Sequence, residues 1–243
     1  MNAESAEVGT PTGESSGPVD ERVRRAWELI AGRLPTRGPL PGTVGTVVDE
    51  ARVAEVERVV GDELGVRLPP DLVALWWLDA VHAGHCLPSE GAFSLDGPQE
   101  ALELRKFMLD LAEAEDPDDP AWPDRFTEDL LPIGTSPGGD SLVVRLRPDE
   151  HHGNVHFWDH EVWGLGVPLW PSVAAMLDDA ASALLSGGPA LTWHVANGGD
   201  QPLVVPLLNE RGRLTDWEAS PGPAPGPEPD LGPRPAPRPS PGA

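Results

Sequence analysis

The hydrophobic period of the chain changes from helical to strand-like near residue 130, and this change limits the folds that the chain can adopt. Before that point, apolar residues recur at helical spacing. After it come three short apolar runs bounded by turn residues, LLPIG at 130–134, SLVVRL at 141–146 and NVHFWDH at 154–160. Runs of this kind predict antiparallel strands. Because helices precede the strands and one more helix follows them, the pattern predicts the α+β class.

Apolar stripes and turn residues predict the helices individually. Asp20 caps a first helix with Val23, Ala26, Trp27 and Ile30 on one face, and Asp49 opens a second helix that Gly65 closes. A third helix begins at Pro69 and Pro70, because proline suits a first helical turn. The remaining two helices run from Gln99 to about Ala114 and from Pro171 to Leu185.

The region after the last helix predicts a hairpin. The segments LTWHVA and PLVVPLL flank a turn, NGGD at 197–200, and RLTDWE adds a last short strand.

Composition divides the chain into one domain with two tails. Residues 1–18 are polar and have no apolar period, so they predict a disordered lead-in. Residues 219–243 alternate proline with small residues and predict an extended, polyproline-like tail. Residues 19–218 between them have the length of a single domain.

The charge of the chain restricts its partners. The formal net charge is −23, so phosphates would be repelled, and neither nucleic acid nor an anionic membrane is expected as a partner. A basic protein is the natural counterpart. No apolar run has the roughly 18 residues that a membrane span needs, and no signal peptide pattern occurs, so we expect a cytoplasmic protein. Cys86 is the single cysteine, which leaves no intramolecular disulfide.

The stretch HFWDHEVW at 156–163 is the first candidate for chemistry, since His156, Asp159, His160 and Glu161 are all potential metal ligands. On one strand face, however, His156 and His160 lie roughly 13 Å apart. Nitrogens bound to one zinc ion must lie within about 3.5 Å of each other. We therefore predict no metal site and interpret the stretch as a strand followed by a turn. A metal-dependent hydrolase built from these four residues is the least favoured alternative.

Two further motifs lack the local features that a catalytic or cofactor-binding site requires. The segment GTSPG at 134–138 matches the G-x-S-x-G nucleophile elbow, but Pro137 follows the serine and has no N–H for an oxyanion hole. It is better interpreted as a hairpin loop in which Asp140 bonds nearby backbone. GLG at 164–166 lacks the third glycine and the helix of a dinucleotide loop. No catalytic residues and no cofactor are therefore predicted.

Four segments in order resemble a known family. They are VERVVGDELGVRLPPDLVALWWLD at 56–79, LLPIGTSPGGDSLVVRL at 130–146, VHFWDHEVW at 155–163 and PSVAAML at 171–177. Their order and spacing resemble the SUKH superfamily in its SMI/KNR branch, over a core of about 47–185. We assign as signature positions of this resemblance Gly65, Leu68, Pro69, Trp76, Pro132, Gly139, Asp140, Trp158 and Pro171.

The resemblance implies a central, mostly antiparallel sheet packed by helices. It also implies a non-catalytic protein-binding role, that of an immunity protein which neutralises a polymorphic toxin, often a nuclease. The alternative is a regulatory or scaffold module whose proline-rich tail recruits a partner. An acidic face over a basic toxin domain is the expected contact, and its candidate residues are Asp116, Asp118, Asp119, Asp140, Asp159, His160 and Glu161.

Overall fold

The computed structural model describes residues 18–35, 50–78, 86–89, 93–114 and 125–220. The predicted lead-in and tail lie almost entirely outside these residues. Within the described part, the helices are α1 (Pro18–Ala31), α2 (Glu50–Leu64), α3 (Pro70–Trp76), α4 (Pro98–Ala114), α5 (Val173–Ser186) and α6 (Thr192–Ala196). The strands are β1 (Ser94–Leu95), β2 (Leu130–Thr135), β3 (Ser141–Arg145), β4 (Val155–Asp159), β5 (Gly164–Leu165), β6 (Val204–Leu208) and β7 (Leu214–Ala219).

The main sheet is an antiparallel meander in the order β1-β2-β3-β4-β5. Strands β6 and β7 form a separate two-stranded sheet. The α+β prediction, with a mostly antiparallel central sheet packed by helices, is therefore confirmed. None of the helices in the described residues is long and apolar enough to cross a membrane.

Both faces of the main sheet are buried, which explains why its strands are almost continuously apolar. On β3, Leu142 and Val144 belong to the large core cluster that includes side chains of α1, α2, α3 and α5. Val143 points the other way, into a smaller cluster with Met108 of α4 and Trp158 of β4. Successive side chains of this one strand therefore pack into two different cores.

The edges of the main sheet are short. Strands β1 and β5 have two residues each, so the sheet offers little backbone for another strand to pair with. At the β1 edge, a Cβ added to Gly134 would lie 3.0 Å from the Ser94 carbonyl oxygen, so glycine permits the close approach of β1 to β2. A register irregularity between Pro132 and Gly134 accompanies this approach.

A buried carboxylate joins two of the helices that cover the sheet. Asp71, in the first turn of α3, accepts hydrogen bonds from the backbone N–H of Leu72 (3.1 Å) and from that of Ala174 in α5 (2.8 Å). Ser172 caps the same end of α5 by accepting the N–H of Ala175 at 3.1 Å. Two of the otherwise unpaired N–H groups of α5 are thus satisfied, one of them from a different helix.

The predicted hairpin between LTWHVA and PLVVPLL is wrong. Residues 192–196 form the short helix α6, because Leu191 turns the chain with φ 65° and His194 points into the interior. The real hairpin joins β6 to β7. Its turn uses Asn209, whose side-chain oxygen accepts the N–H groups of Arg211 and Arg213. Asp20 is likewise not a cap, since α1 begins at Pro18.

Replacing Asp71 by alanine should lower the free energy of unfolding by about 1–3 kcal/mol, because the buried N–H of Ala174 loses its partner. Urea denaturation measures the change. Asp178→Ala on α5 removes a largely exposed carboxylate and should change stability by less than about 0.5 kcal/mol. Equal losses in the two variants would contradict a special role for Asp71.

Replacing Trp158 by alanine should cost about 3–5 kcal/mol as a core truncation. Its indole is 1% exposed and contacts Phe126 and Trp163 edge-to-face, with ring centroids 5.3 and 6.3 Å away. The comparison variant is Trp77→Ala, whose side chain is 49% exposed and whose loss should cost under about 1 kcal/mol. Unchanged thermal stability of Trp158→Ala would mean that the smaller core contributes nothing to the stability of the fold.

Candidate partner-binding surface

The antiparallel register brings two turns to one end of the sheet. Strand β3 leaves the β2–β3 turn and β4 returns to the same end, where Ser141 pairs with Trp158. The β2–β3 turn (136–140) therefore lies beside the β4–β5 turn (159–163). We call these two turns together the rim.

A hydrogen-bonded pair fastens one turn of the rim to the other. One carboxylate oxygen of Asp140, Oδ1, accepts the backbone N–H of His160 at 3.3 Å and lies 2.8 Å from the Nδ1 of that ring. Gly139 has φ 105°, and a Cβ there would lie 3.2 Å from the imidazole of His160. Glycine at this position therefore gives the ring room to reach Asp140.

The β4–β5 turn is shaped by its own aspartate. One oxygen of Asp159 accepts the N–H groups of Glu161 (2.8 Å) and Val162 (3.1 Å), which is an Asx turn. The turn ends at Trp163, whose φ is 49° and whose ring packs on Trp158. Glu161 and Val162 are thereby left at the surface, with Val162 59% exposed.

The two histidines of the opening motif have different surroundings. The hydrogen bond to Asp140, and secondarily its charge, raises the pKa of the exposed His160. Burial lowers the pKa of His156, which is 3% exposed and whose Nδ1 lies 2.9 Å from the Gly166 carbonyl oxygen that it bonds. The motif therefore divides into a buried strand residue and a surface residue, as its strand-and-turn interpretation predicts.

The four-residue metal set considered for a hydrolase is not brought together. The described residues place one ligand atom each of Asp140, Asp159 and His160 within 4.8 Å of one another, and this group contains neither His156 nor Glu161. The GTSPG segment is a hairpin connection: Gly134 and Thr135 end β2, and the hydroxyl of Ser136 accepts the N–H of Asp140 at 3.1 Å. Sequence reasoning missed Ser136 and Val162 as members of the rim, because their positions depend on the turn geometry.

Glu113 and Glu128, which flank the predicted acidic residues Asp116, Asp118 and Asp119, lie at the opposite end of the sheet from the rim. Asp116, Asp118 and Asp119 lie outside the described residues. The flanking Glu113 and Glu128 line a groove of about 760 Å³ that also contains Arg125 and Arg147.

Arginines balance the charge at that far end, whereas at the rim the cationic partner is His160, which pairs with Asp140. Near the groove, the carboxylate of Asp129 lies 3.4 Å from the guanidinium of Arg147 and 3.9 Å from that of Arg145. Within the described residues, no arginine or lysine forms an ion pair with Asp140, Asp159 or Glu161. Their negative charge is therefore the more available of the two for a partner.

The signature positions of the resemblance fall in the helix-covered core and at the rim. Gly65 ends α2 with φ 67°, and the indole N–H of Trp76 donates to the Asp96 carbonyl at 3.2 Å. The other positions are Leu68, Pro69, Pro132 and Trp158, which are buried, Gly139 and Asp140, which belong to the rim, and Pro171, which is exposed just before the Ser172 cap.

Comparison with known families assigns the fold. The model of the SMI1 / KNR4 family (SUKH-1) matches residues 48–179, more than half of the 243 residues, and the chain belongs to this family. The assignment confirms the resemblance found in the sequence and fits a domain of the protein-interaction or immunity type. No curated protein matches the chain significantly.

The pairing of His160 with Asp140 can be tested by titration. The pKa of His160 in the folded state is raised above the ordinary value of about 6.5. Its pairing with Asp140 therefore stabilises the fold at lower pH, and this stabilisation is lost as pH rises through the folded-state pKa. For His156, whose pKa is lowered, stability is present above the ordinary value and is lost as pH falls. In an NMR titration, Asp140→Asn should lower the pKa of His160 and leave that of His156 unchanged. A His160 pKa that is unchanged by this substitution would contradict the pairing.

Proposed function

We propose that this chain is a non-catalytic binding domain that neutralises a basic partner protein, as an immunity protein neutralises a toxin. Membership of the SMI1 / KNR4 family supports a protein-interaction role. The net charge of −23 supports a basic partner, because opposite charges speed encounter and fix the orientation of the complex. A nuclease domain is one such partner, since its substrate-binding cleft must be basic.

The observation that carries the proposal is the rim itself. Three carboxylates, those of Asp140, Asp159 and Glu161, lie on neighbouring turns. Asp140 pairs with His160, and no arginine or lysine of the described residues forms an ion pair with Asp159 or Glu161. Beside them, Val162 offers an exposed apolar side chain. Charged groups around an apolar contact are the usual arrangement of a protein interface. The rigid sheet beneath the turns holds these groups in place before the partner arrives.

The proposal includes no bond-making chemistry. Ser136 is followed by Pro137 and contacts Asp140, so it has neither the backbone donor nor the histidine that an acyl-transfer nucleophile requires. His156 is buried in the strand and bonded to Gly166. These features support a stoichiometric inhibitor over a metal-dependent hydrolase.

Charge reversal at the rim tests the proposal. Glu161→Lys should slow association with the purified product of the neighbouring gene by about tenfold at low salt, because the steering charge is inverted. Glu150→Lys is the matched control: it makes the same charge change on the β3–β4 loop, at the other end of the sheet, where Glu150 is 87% exposed. Stopped-flow binding at low and high salt measures both rates.

Two outcomes would count against the proposal. Equal effects of the two charge reversals would show that only the net charge matters and that the rim is not the contact. A rate independent of salt would remove the electrostatic argument. Deletion of 220–243 should leave binding intact, whereas loss of binding on this deletion would favour the scaffold role of the proline-rich tail.

A further inference from the structure

His194 is a buried histidine whose hydrogen bonds determine its protonation state. It lies in α6 and is 1% exposed. Its Nδ1 is 2.9 Å from the carbonyl oxygen of Pro168, and its Nε2 is 3.1 Å from the backbone nitrogen of Gln201. A carbonyl oxygen only accepts and a backbone N–H only donates, so Nδ1 must carry the proton and Nε2 must present its lone pair. The arrangement therefore fits the neutral ring alone.

The turn 197–201 is built directly against this ring. A Cβ on Gly199 would lie 2.0 Å from the Cε1 of His194, and the N–H of Gly199 donates to the His194 carbonyl at 3.0 Å. Gly198, with φ 84°, precedes it. Because neither of these adjacent glycines has a Cβ, the backbone of the turn can rotate there with little steric resistance.

An acceptor for a second ring proton is already near. One carboxylate oxygen of Asp200 lies 4.0 Å from Nε2, and its side chain is 90% exposed. The other polar groups that bond the ring are backbone groups, Pro168 on one side and Gln201 on the other. Asp200 is therefore the charged group among the described residues that could pair with a protonated His194.

We propose that His194 is a proton-controlled latch on the turn 197–201. With the neutral ring, Nε2 accepts the N–H of Gln201 and the turn is closed. When a proton from solvent binds Nε2, two donors face each other, the bond to Gln201 is lost, and the exposed carboxylate of Asp200 moves to accept the new N–H. The turn then opens at its glycines, while the bond from Nδ1 to Pro168 is kept.

Opening would act on the connection between α6 and the β6–β7 hairpin. The hairpin itself is held separately at both ends. Just after α1, the Gly32 and Leu34 carbonyls accept from Arg213 at 2.6 and 3.1 Å, and the Arg33 carbonyl accepts the Leu214 N–H at 2.7 Å. At the start of β6, the Val204 carbonyl accepts the Ala190 N–H at 2.8 Å. The latch therefore frees the turn 197–201 and leaves the hairpin attached. It lies beyond residue 179, outside the family-matched region, and does not depend on the proposed function.

Hydrogen exchange of the full chain tests the latch. Measured from pH 7.5 to pH 5, the protection of the Gln201 amide, corrected for intrinsic exchange, should fall by up to about tenfold per pH unit, because each opening takes up one proton. His194→Gln keeps an acceptor on this side chain but does not titrate, so its Gln201 protection should not change with pH. His160→Gln is the control, and it should retain the full pH dependence.

A second measurement keeps the test valid if His194→Gln does not fold. Imidazole ¹⁵N NMR of the unmodified protein should show His194 with its proton on Nδ1 at the upper pH and with both nitrogens protonated at the lower pH. Asp200→Asn should move the loss of Gln201 protection to lower pH, because the imidazolium loses its counter-charge. Constant Gln201 protection across this pH range, or a proton on Nε2 at the upper pH, would overturn the proposal.

Discussion

The pairing of β3 with β4 is the interaction on which the rest of this structure depends. Because Ser141 lies opposite Trp158, the turns before β3 and after β4 emerge at the same end of the sheet. A shift by one residue would turn every side chain of β4 to the other face and move Trp158 out of the smaller core. The register thus determines both the packing of the smaller core and the meeting of Asp140 with His160.

Carboxylates fasten the helices that cover this sheet, Asp71 from a buried position and Asp179 from a half-buried one. Asp71 joins α3 to α5. Further along α5, one oxygen of Asp179 accepts both the indole N–H of Trp170 at 2.9 Å and the backbone N–H of Leu191 at 2.8 Å. Each carboxylate accepts hydrogen bonds from N–H groups that the fold removes from water. A buried N–H group without such an acceptor would cost free energy of folding. Helix α5 is therefore fixed through its side chains as well as through apolar contact.

Much of the fold could be predicted from local signals. The three central strands, α2 to α5 and the apolar face of α1 follow from hydrophobic period, from proline at helix starts and from Gly65 at a helix end. What failed were features decided by tertiary contacts. The segment 192–196 alternates like a strand, yet His194 finds its partners in Pro168 and Gln201 and the segment becomes helical.

The candidate site was predictable in part and for a similar reason. Asp159, His160 and Glu161 could be assigned to a turn because their residue types favour one. That Asp140 bonds His160 depends on strand register, which single-sequence patterns do not specify. The hydrogen bond from the Ala174 N–H to Asp71 spans more than a hundred positions, and no local pattern indicates it.

The two-residue edge strands have a consequence for how this domain can evolve new specificity. They leave a partner strand little backbone to pair with, so recognition by the main sheet relies on side chains displayed where its hairpins reverse. Replacing those few residues leaves the hydrogen-bond ladder and both cores untouched. The tips of such a domain can therefore diversify while the scaffold stays the same.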